Sequence, residues 1–266
     1  MDVLITGGAG GLGRALAVEC AKRGYRIFLT DMALQPLQSI QQGLTRQFDA
    51  SVSVCTCDMT QPEQVKEMLK SASQEGWKFQ MLLNVAGVDH EGAFAGRQSS
   101  ELLDIIKVNI EATLAITHES LTYRNKKLPF YIVLVSSLAS LYPMPLKATY
   151  AASKRFLLDL SIALGRELEQ ERVSIMALCP GGLATTPEAC AGIQAQGLWG
   201  QITTNRLEQV AHRTISKALR GKKIYIPGAV NKGLSVAGKL VPSRWIAKLL
   251  YLRWKGAQSK WLEPTL

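Results

Sequence analysis

Two rhythms of apolar residues alternate along the chain. Short, nearly continuous apolar runs occur at Asp2-Val3-Leu4-Ile5-Thr6, Arg26-Ile27-Phe28-Leu29-Thr30-Asp31, residues 51–57, Met81-Leu82-Leu83-Asn84-Val85, residues 130–136, Val173 to Cys179 and Lys223-Ile224-Tyr225-Ile226. Between them, stretches with helical spacing run over residues 12–23, 33–48, 62–75, 99–125, from Tyr150 to about Glu171, and 206–220. Apolar runs without a polar face belong to strands covered on both sides, and their alternation with helices predicts an α/β fold: one doubly wound parallel sheet of about seven strands, with helices on both faces. Gly24 closes the first helix, and Pro180-Gly181-Gly182 and Pro227-Gly228 close the last two strands. No repeat or linker interrupts the pattern. Residues 1–230 are therefore expected to form one domain, with a mobile, largely apolar lid at about 186–205, and residues 231–266 a basic, tryptophan-bearing extension of it.

Sheets of this kind bind ligands outside the carboxyl ends of their strands. The residues there carry chemistry. Gly7, Gly8, Gly10, Gly11 and Gly13 sit between the first strand and the first helix, where glycines let the backbone approach a pyrophosphate and the helix N-terminus offers N–H groups. Asp31 ends the second strand, placed either to bond a ribose 2′-hydroxyl or to remain a solvated strand-end acid or helix cap. Asp58, Asn84, Ser137 and Pro180 occupy the corresponding positions of later strands. After the prolines at 143 and 145, Tyr150 and Lys154 lie four residues apart on one helix face, near the strand-end hydroxyl of Ser137. A nearby ammonium favours the phenolate, so Tyr150 is expected to have a lowered pKa and to exchange a proton with a carbinol oxygen that the serine also bonds.

With these residues in view, the chain resembles the short-chain dehydrogenase/reductase family in its compact, single-domain Rossmann-type form, over about residues 2–228. Thr6-Gly7-Gly8-Ala9-Gly10-Gly11-Leu12-Gly13 is similar to the family's glycine loop, and Asn84-Val85-Ala86-Gly87 to its Asn-x-Ala-Gly turn. The resemblance implies a catalytic set of Asn109, Ser137, Tyr150 and Lys154, with Asn109 holding a relay water, and Ser136 and Ser140 as the weaker serine choices. It implies cofactor contacts at Gly7, Gly10, Gly11, Leu12, Gly13, Asp31, Asp58, Met59, Asn84, Ala86, Gly87, Tyr150, Lys154, Pro180, Gly181, Leu183 and Thr185. Asp58 would meet the adenine edge or serve only as a helix cap. Family members that prefer NADP often carry a basic residue before the second motif glycine or after the second strand. Gly10 and Met32-Ala33 stand there, so NAD is expected over NADP, with Arg14 the one nearby cation. The implied activity is hydride transfer between the nicotinamide and a secondary alcohol or ketone, hydroxysteroid or lipid-like in character. The alternatives are reduction of 3-oxoacyl or small keto substrates with NADPH, or nucleotide sensing without turnover. A homodimer or homotetramer is also implied.

Composition alters this picture in two places. The 47% apolar and 20% charged residues describe an ordinary globule, no apolar run reaches membrane-spanning length, and the start of the chain lacks the basic region of a signal peptide, so a reducing cytoplasm is the expected location. The five cysteines, four of them expected in the core, show no zinc-like spacing, and no metal is expected. The net charge of +10, however, is concentrated: residues 213–266 hold 12 Lys/Arg against the single acid Glu263. Within them, residues 243–255 predict a helix capped by Ser243, with Arg244, Lys248 and Lys255 on one side and Trp245, Ile246, Leu249, Leu250 and Trp254 on the other. That apolar face either packs on the body or a second subunit, or lies on an anionic membrane. Without a recognisable nucleic-acid module, nucleic acid is not an expected partner.

Overall fold

A computed structural model of the chain describes residues 1–258. Residues 259–266, including Lys260, Trp261 and Glu263 of the basic extension, lie outside the described part, as do the side chains of Glu188, Trp199 and Lys239. Seven strands form the sheet: β1 (Asp2–Thr6), β2 (Arg26–Asp31), β3 (Val52–Thr56), β4 (Met81–Asn84), β5 (Phe130–Val135), β6 (Val173–Leu178) and β7 (Ile224–Tyr225). All pairings are parallel, in the order β3-β2-β1-β4-β5-β6-β7. The order reverses between β1 and β4, which opens the crevice at their carboxyl ends. The helices are α1 (Gly11–Lys22), α2 (Leu34–Phe48), α3 (Pro62–Gln74), α4 (Ser99–Ile106), α5 (Ala112–Tyr123), α6 (Ala148–Glu167), α7 (Pro187–Ala195), α8 (Leu198–Thr203), α9 (Leu207–Leu219), α10 (Ala229–Leu240) and α11 (Ser243–Gln258).

The period-2 geometry of the strands divides the core into two layers. Val3, Ile5, Ile27, Leu29, Met81, Leu83, Val133 and Val135 face Leu12 and Leu16 of α1, Leu37 of α2 and Ile215 of α9. The intervening Leu4, Phe28, Leu82, Ile132 and Leu134 face Val65 and Leu69 of α3 and Ile116 of α5. Both faces are covered, which is why the strands read as unbroken apolar runs. Cys20, Cys57 and Cys179 are core residues as expected, but Cys55 is only half-buried because β3 is an edge strand.

Three elements differ from the sequence pattern. The stretch 99–125 is not one helix. It divides into α4 and α5 around a π turn, Lys107–Glu111, whose extra residue brings Asn109 to complete burial. The Tyr150 helix stops at Glu167, followed by a short 3₁₀ turn and Arg172 in the left-handed region. The stretch expected to be a lid is itself built of α7 and α8. Beyond β7, α10 packs on the body through Asn231, fully buried, whose Nδ2 donates to the Thr203 and Pro227 carbonyls and to Asn205 Oδ1.

Phe79 anchors the second layer: 1% exposed, it stacks on Trp77 at 5.9 Å and meets the edge of Phe28 at 5.8 Å. Replacing it with alanine removes a whole ring from a close-packed site. Phe79→Ala is expected to cost about 3–5 kcal/mol in chemical denaturation, and a loss below about 1 kcal/mol would mean that the layer can close over the gap.

Candidate functional site

At the carboxyl end of β1, Thr6 donates its hydroxyl proton to Asn84 Oδ1 (2.6 Å) and accepts from the Val85 and Ala86 N–H groups (3.1 and 3.2 Å). Asn84 Nδ2 in turn donates to Thr113 Oγ1 (3.0 Å). This buried chain fixes the β1 and β4 loops against each other, and it commits the Asn84 side chain to the interior rather than to the crevice.

The glycine loop follows. Gly7 has φ +63°, and a Cβ there would lie 2.8 Å from the Ala86 nitrogen; one on Gly13 would lie 2.1 Å from the Gly7 carbonyl oxygen. Neither position admits a side chain. Thr185 sits directly on Gly11, where an added Cβ would approach its own Cβ to 2.9 Å. Helix α1 has no side-chain cap and no acid in its first turn, so the N–H groups of Gly11, Leu12 and Gly13 open toward the crevice with the positive end of the helix dipole. These features fit a pyrophosphate: a cradle without side chains at a bare helix N-terminus. Asp31 is oriented by accepting from Ala9 N (3.0 Å) and Met32 N (2.8 Å), which joins the end of β2 to the same loop.

Other expected cofactor residues are less free. Asp58 Oδ1 accepts from Thr60 N and Thr60 Oγ1 (2.9 and 2.7 Å), a local turn, and it is not the expected helix cap, because Gln61 is the N-cap of α3. Met59 is buried in the core at 7% exposure, so only its backbone faces outward chemistry. Pro180 and Gly181 are held from below: Pro180 O accepts from Leu138 N (2.7 Å), and Gly181 N donates to Asn205 Oδ1 (3.2 Å). Leu183 O accepts from Thr185 N (2.9 Å), which shapes the turn toward the glycine loop.

The second cluster gathers at the ends of β4 and β5 and on α6. Ser136 and Ser140, each 2% exposed, spend their hydroxyls on the carbonyls of Lys154 and Ser137. Ser137 Oγ accepts from Ala139 N, and the same hydroxyl acts to lower the pKa of the Tyr150 phenol. Lys154 is 4% exposed; its Nζ donates to Val135 O (3.0 Å) and stands 5.6 Å from the Tyr150 ring centre. Asn109 Oδ1 accepts from Val88 N (2.8 Å), while its Nδ2 donates to Val88 O and Ser153 Oγ (3.0 Å each). Gly87 is small for a reason: a Cβ would fall 3.0 Å from both Asn109 Oδ1 and Lys154 Nζ. The four residues expected as a catalytic set are thus brought together.

The electrostatics reverse one expectation. Burial pushes the Tyr150 phenol above its ordinary value, the Asp89 carboxylate raises it further, and the Ser137 hydrogen bond pulls the other way. The lowered pKa expected from the Tyr150–Lys154 spacing is therefore not found, because desolvation of the phenolate and the Asp89 carboxylate outweigh the Ser137 hydrogen bond. Burial likewise lowers Lys154 from 10.5 to about 8, opposed by Asp89.

Spacing did not reveal the rim of the site. Lys147 Nζ pairs with Asp89 Oδ2 (2.7 Å) and with Glu91, and lies 5.5 Å from the Tyr150 ring and 5.3 Å from the Trp254 ring of α11. Lys147 precedes Tyr150 by one helical turn and was visible in principle; Asp89, Glu91 and Trp254 come from distant segments with no motif. Leu146, in the left-handed region at φ +67°, turns the chain into this corner and accepts from Gly92 N (2.9 Å).

A depressed lysine pKa has a consequence for stability. Between about pH 8 and 10.5 the unfolded chain binds the proton that folded Lys154 releases, so this group makes the protein more stable as pH rises through that window. Below pH 8 the buried ammonium is a constant penalty. Lys154→Met is expected to melt no lower than the parent at pH 7, gaining up to ~3 kcal/mol, with the gain shrinking toward pH 10. A clear destabilisation at pH 7 would show that the hydrogen bond to Val135 outweighs the burial penalty.

Comparison with known proteins identifies the family. The model of the short chain dehydrogenase family matches residues 2–196. The very-long-chain 3-oxoacyl-CoA reductase of Laccaria bicolor is 27% identical over 174 residues, covering 65% of this chain and 52% of that protein. The 3-oxoacyl-[acyl-carrier-protein] reductase of Thermotoga maritima is 27% identical, covering 68% and 74%. The human 17-beta-hydroxysteroid dehydrogenase type 3 is 29% identical, covering 68% and 59%. The chain spans about half the length of the fungal reductase it matches. Among solved structures, levodione reductase superposes with a TM-score of 0.78 at 18% identity, covering 89% of this chain and 98% of that one, and so shares the fold. With the glycine cradle at β1, the crevice between β1 and β4 and the matched stretch all coinciding, the chain belongs to the short-chain dehydrogenase family.

Proposed function

We propose that the protein is an NAD-dependent oxidoreductase that interconverts an apolar secondary alcohol and its ketone. The observation that carries this reading is the meeting of Ser137, Tyr150 and Lys154 beside the glycine cradle. Gly7, Gly10, Gly11, Leu12 and Gly13 would hold the pyrophosphate, Asp31 the adenosine ribose, and Thr185 with the 180–183 turn the nicotinamide end. The bound nicotinamide supplies or accepts the hydride. The chain's residues handle the oxygen. In reduction Tyr150 gives its phenolic proton to the carbonyl oxygen, and in oxidation the phenolate takes it back. Ser137 bonds the same oxygen as charge builds on it. Lys154, once a ribose and substrate cover it, stabilises the phenolate that the free protein disfavours. Asn109 acts through position: its amide clamps Val88 and so sets the loop that carries Asp89.

An apolar substrate is supported by Leu198 and Ile202 of α8, exposed at 78% and 49%. The relatives named as 3-oxoacyl reductases favour a second reading, reduction of a 3-oxoacyl thioester with NADPH. Exposed Leu103, Leu114, Phe156 and Ile162 on α4, α5 and α6 support a homodimer through those helices.

Tyr150→Phe removes only the phenolic oxygen. It is expected to lower kcat by roughly 10²–10⁴ with NADH affinity within about twofold of the parent, measured by steady-state assay and NADH fluorescence titration across a panel of hydroxysteroids, long-chain alcohols and 3-oxoacyl thioesters. Wild-type turnover by the variant would end the assignment.

Asp31→Ala is expected to shift the NADH-to-NADPH affinity ratio toward NADPH by roughly tenfold, since the carboxylate would repel a 2′-phosphate. Tighter binding of NADPH than NADH by the parent protein would instead favour the second reading.

A further inference from the structure

Helix α11 contains Arg244, Lys248, Arg253 and Lys255 and no acid. At about 100° per residue, Ile246, Ala247, Leu250 and Trp254 fall in one sector, and these are the partly buried positions. This inward sector is tied to the body, with Lys147 standing 5.3 Å from the Trp254 ring. Trp245, Leu249 and Leu252 fall in the opposite sector and are 51%, 65% and 62% exposed. The single apolar face expected from the sequence is thus two faces: Ile246, Leu250 and Trp254 turn inward, while Trp245 and Leu249 join Leu252 outside.

An ordinary surface helix turns polar residues outward. Here the outward sector carries three large apolar side chains with Arg244, Lys248 and Lys255 along its border. The cations sit against the aromatics, Arg244 and Lys248 each 5.9 Å from the Trp245 ring and Lys255 6.0 Å from that of Tyr251. Helix α10 adds Val236 and Leu240, exposed at 62% and 83%. Across residues 213–266 there are 12 Lys/Arg and one acid, a charge complementary to an anionic surface and unlike that of a self-complementary protein contact. No helix among the described residues is long and apolar enough to cross a membrane. An apolar stripe bordered by cations and aromatics is the pattern of a helix lying in the headgroup layer.

We infer that α11 docks the protein on an anionic lipid surface, with Trp245, Leu249 and Leu252 inserted at the headgroup level and Arg244, Lys248 and Lys255 against lipid phosphates. Trp254, on the inner side of the same helix, places that surface next to the Lys147 rim of the site. Docking does not depend on the reaction proposed above, so its test does not use turnover.

The test is co-sedimentation of the full chain with phosphatidylcholine vesicles, with and without phosphatidylglycerol, at low and high salt, beside the variant Leu249→Glu/Leu252→Glu. The parent is expected to bind the anionic vesicles, at least roughly tenfold more weakly on neutral vesicles or at high salt, and the variant to lose roughly tenfold or more. Unchanged melting and NADH binding show that the variant is folded; should it misfold, Lys248→Glu/Lys255→Glu reads the same surface through its charge. The inference is overturned if the parent does not sediment at low salt or if a folded variant binds as the parent does. It is also overturned if the variant only changes oligomeric state by light scattering, which would assign the stripe to a second copy of the chain.

Discussion

The site depends on a lysine placed where a charge is expensive. Lys154 is almost completely enclosed, and its ammonium donates to the Val135 carbonyl. The surrounding residues read as accommodations to it. Gly87 leaves the space its Nζ occupies, Ser136 bonds the Lys154 carbonyl, and Asp89 offers a compensating charge at longer range. One desolvated environment acts oppositely on two neighbours, depressing the lysine and raising the tyrosine. A free protein so arranged keeps Tyr150 as the neutral phenol and weakens the hold of Lys154 on its proton.

Below that cluster, short buried hydrogen bonds carry the geometry. Thr6, Asn84 and Thr113 fix the crevice floor, and Asn109 clamps the loop after β4 from the π turn. Each is a hydrogen-bonded polar group buried in an apolar layer, where an unmade bond costs more than a made one returns. This favours a single loop conformation rather than a set of near-equivalent ones.

The sheet was legible because its strands are covered on both faces, so burial shows directly as apolar runs, and the glycine loop was legible because only glycine fits at Gly7 and Gly13. Spacing correctly put Tyr150 and Lys154 on one face, yet it carries no information on dielectric, and so the sign of the tyrosine shift was missed. The π turn was hidden because one extra residue barely disturbs helical periodicity over 99–125. Helical projection sorted α11 by polarity alone. The two apolar sectors separate only when the body that covers one of them is known. Asp89 and Glu91 come to Lys147 through a loop whose path no local pattern encodes.

The contact between Gly181 and the region beyond it limits how this scaffold could be rebuilt. A Cβ on Gly181 would fall 2.2 Å from the Thr203 carbonyl oxygen and 2.7 Å from Asn231 Nδ2, and Gly238 lies so close to the Tyr142 ring that no side chain fits there either. The turn after β6, the end of α8 and the start of α10 are therefore interlocked as one part. A chimera that grafts a relative's 186–205 segment onto this sheet would have to bring Asn231 and the matching glycines with it. Exchange of that segment is then a transplant of a three-piece unit rather than of a loop.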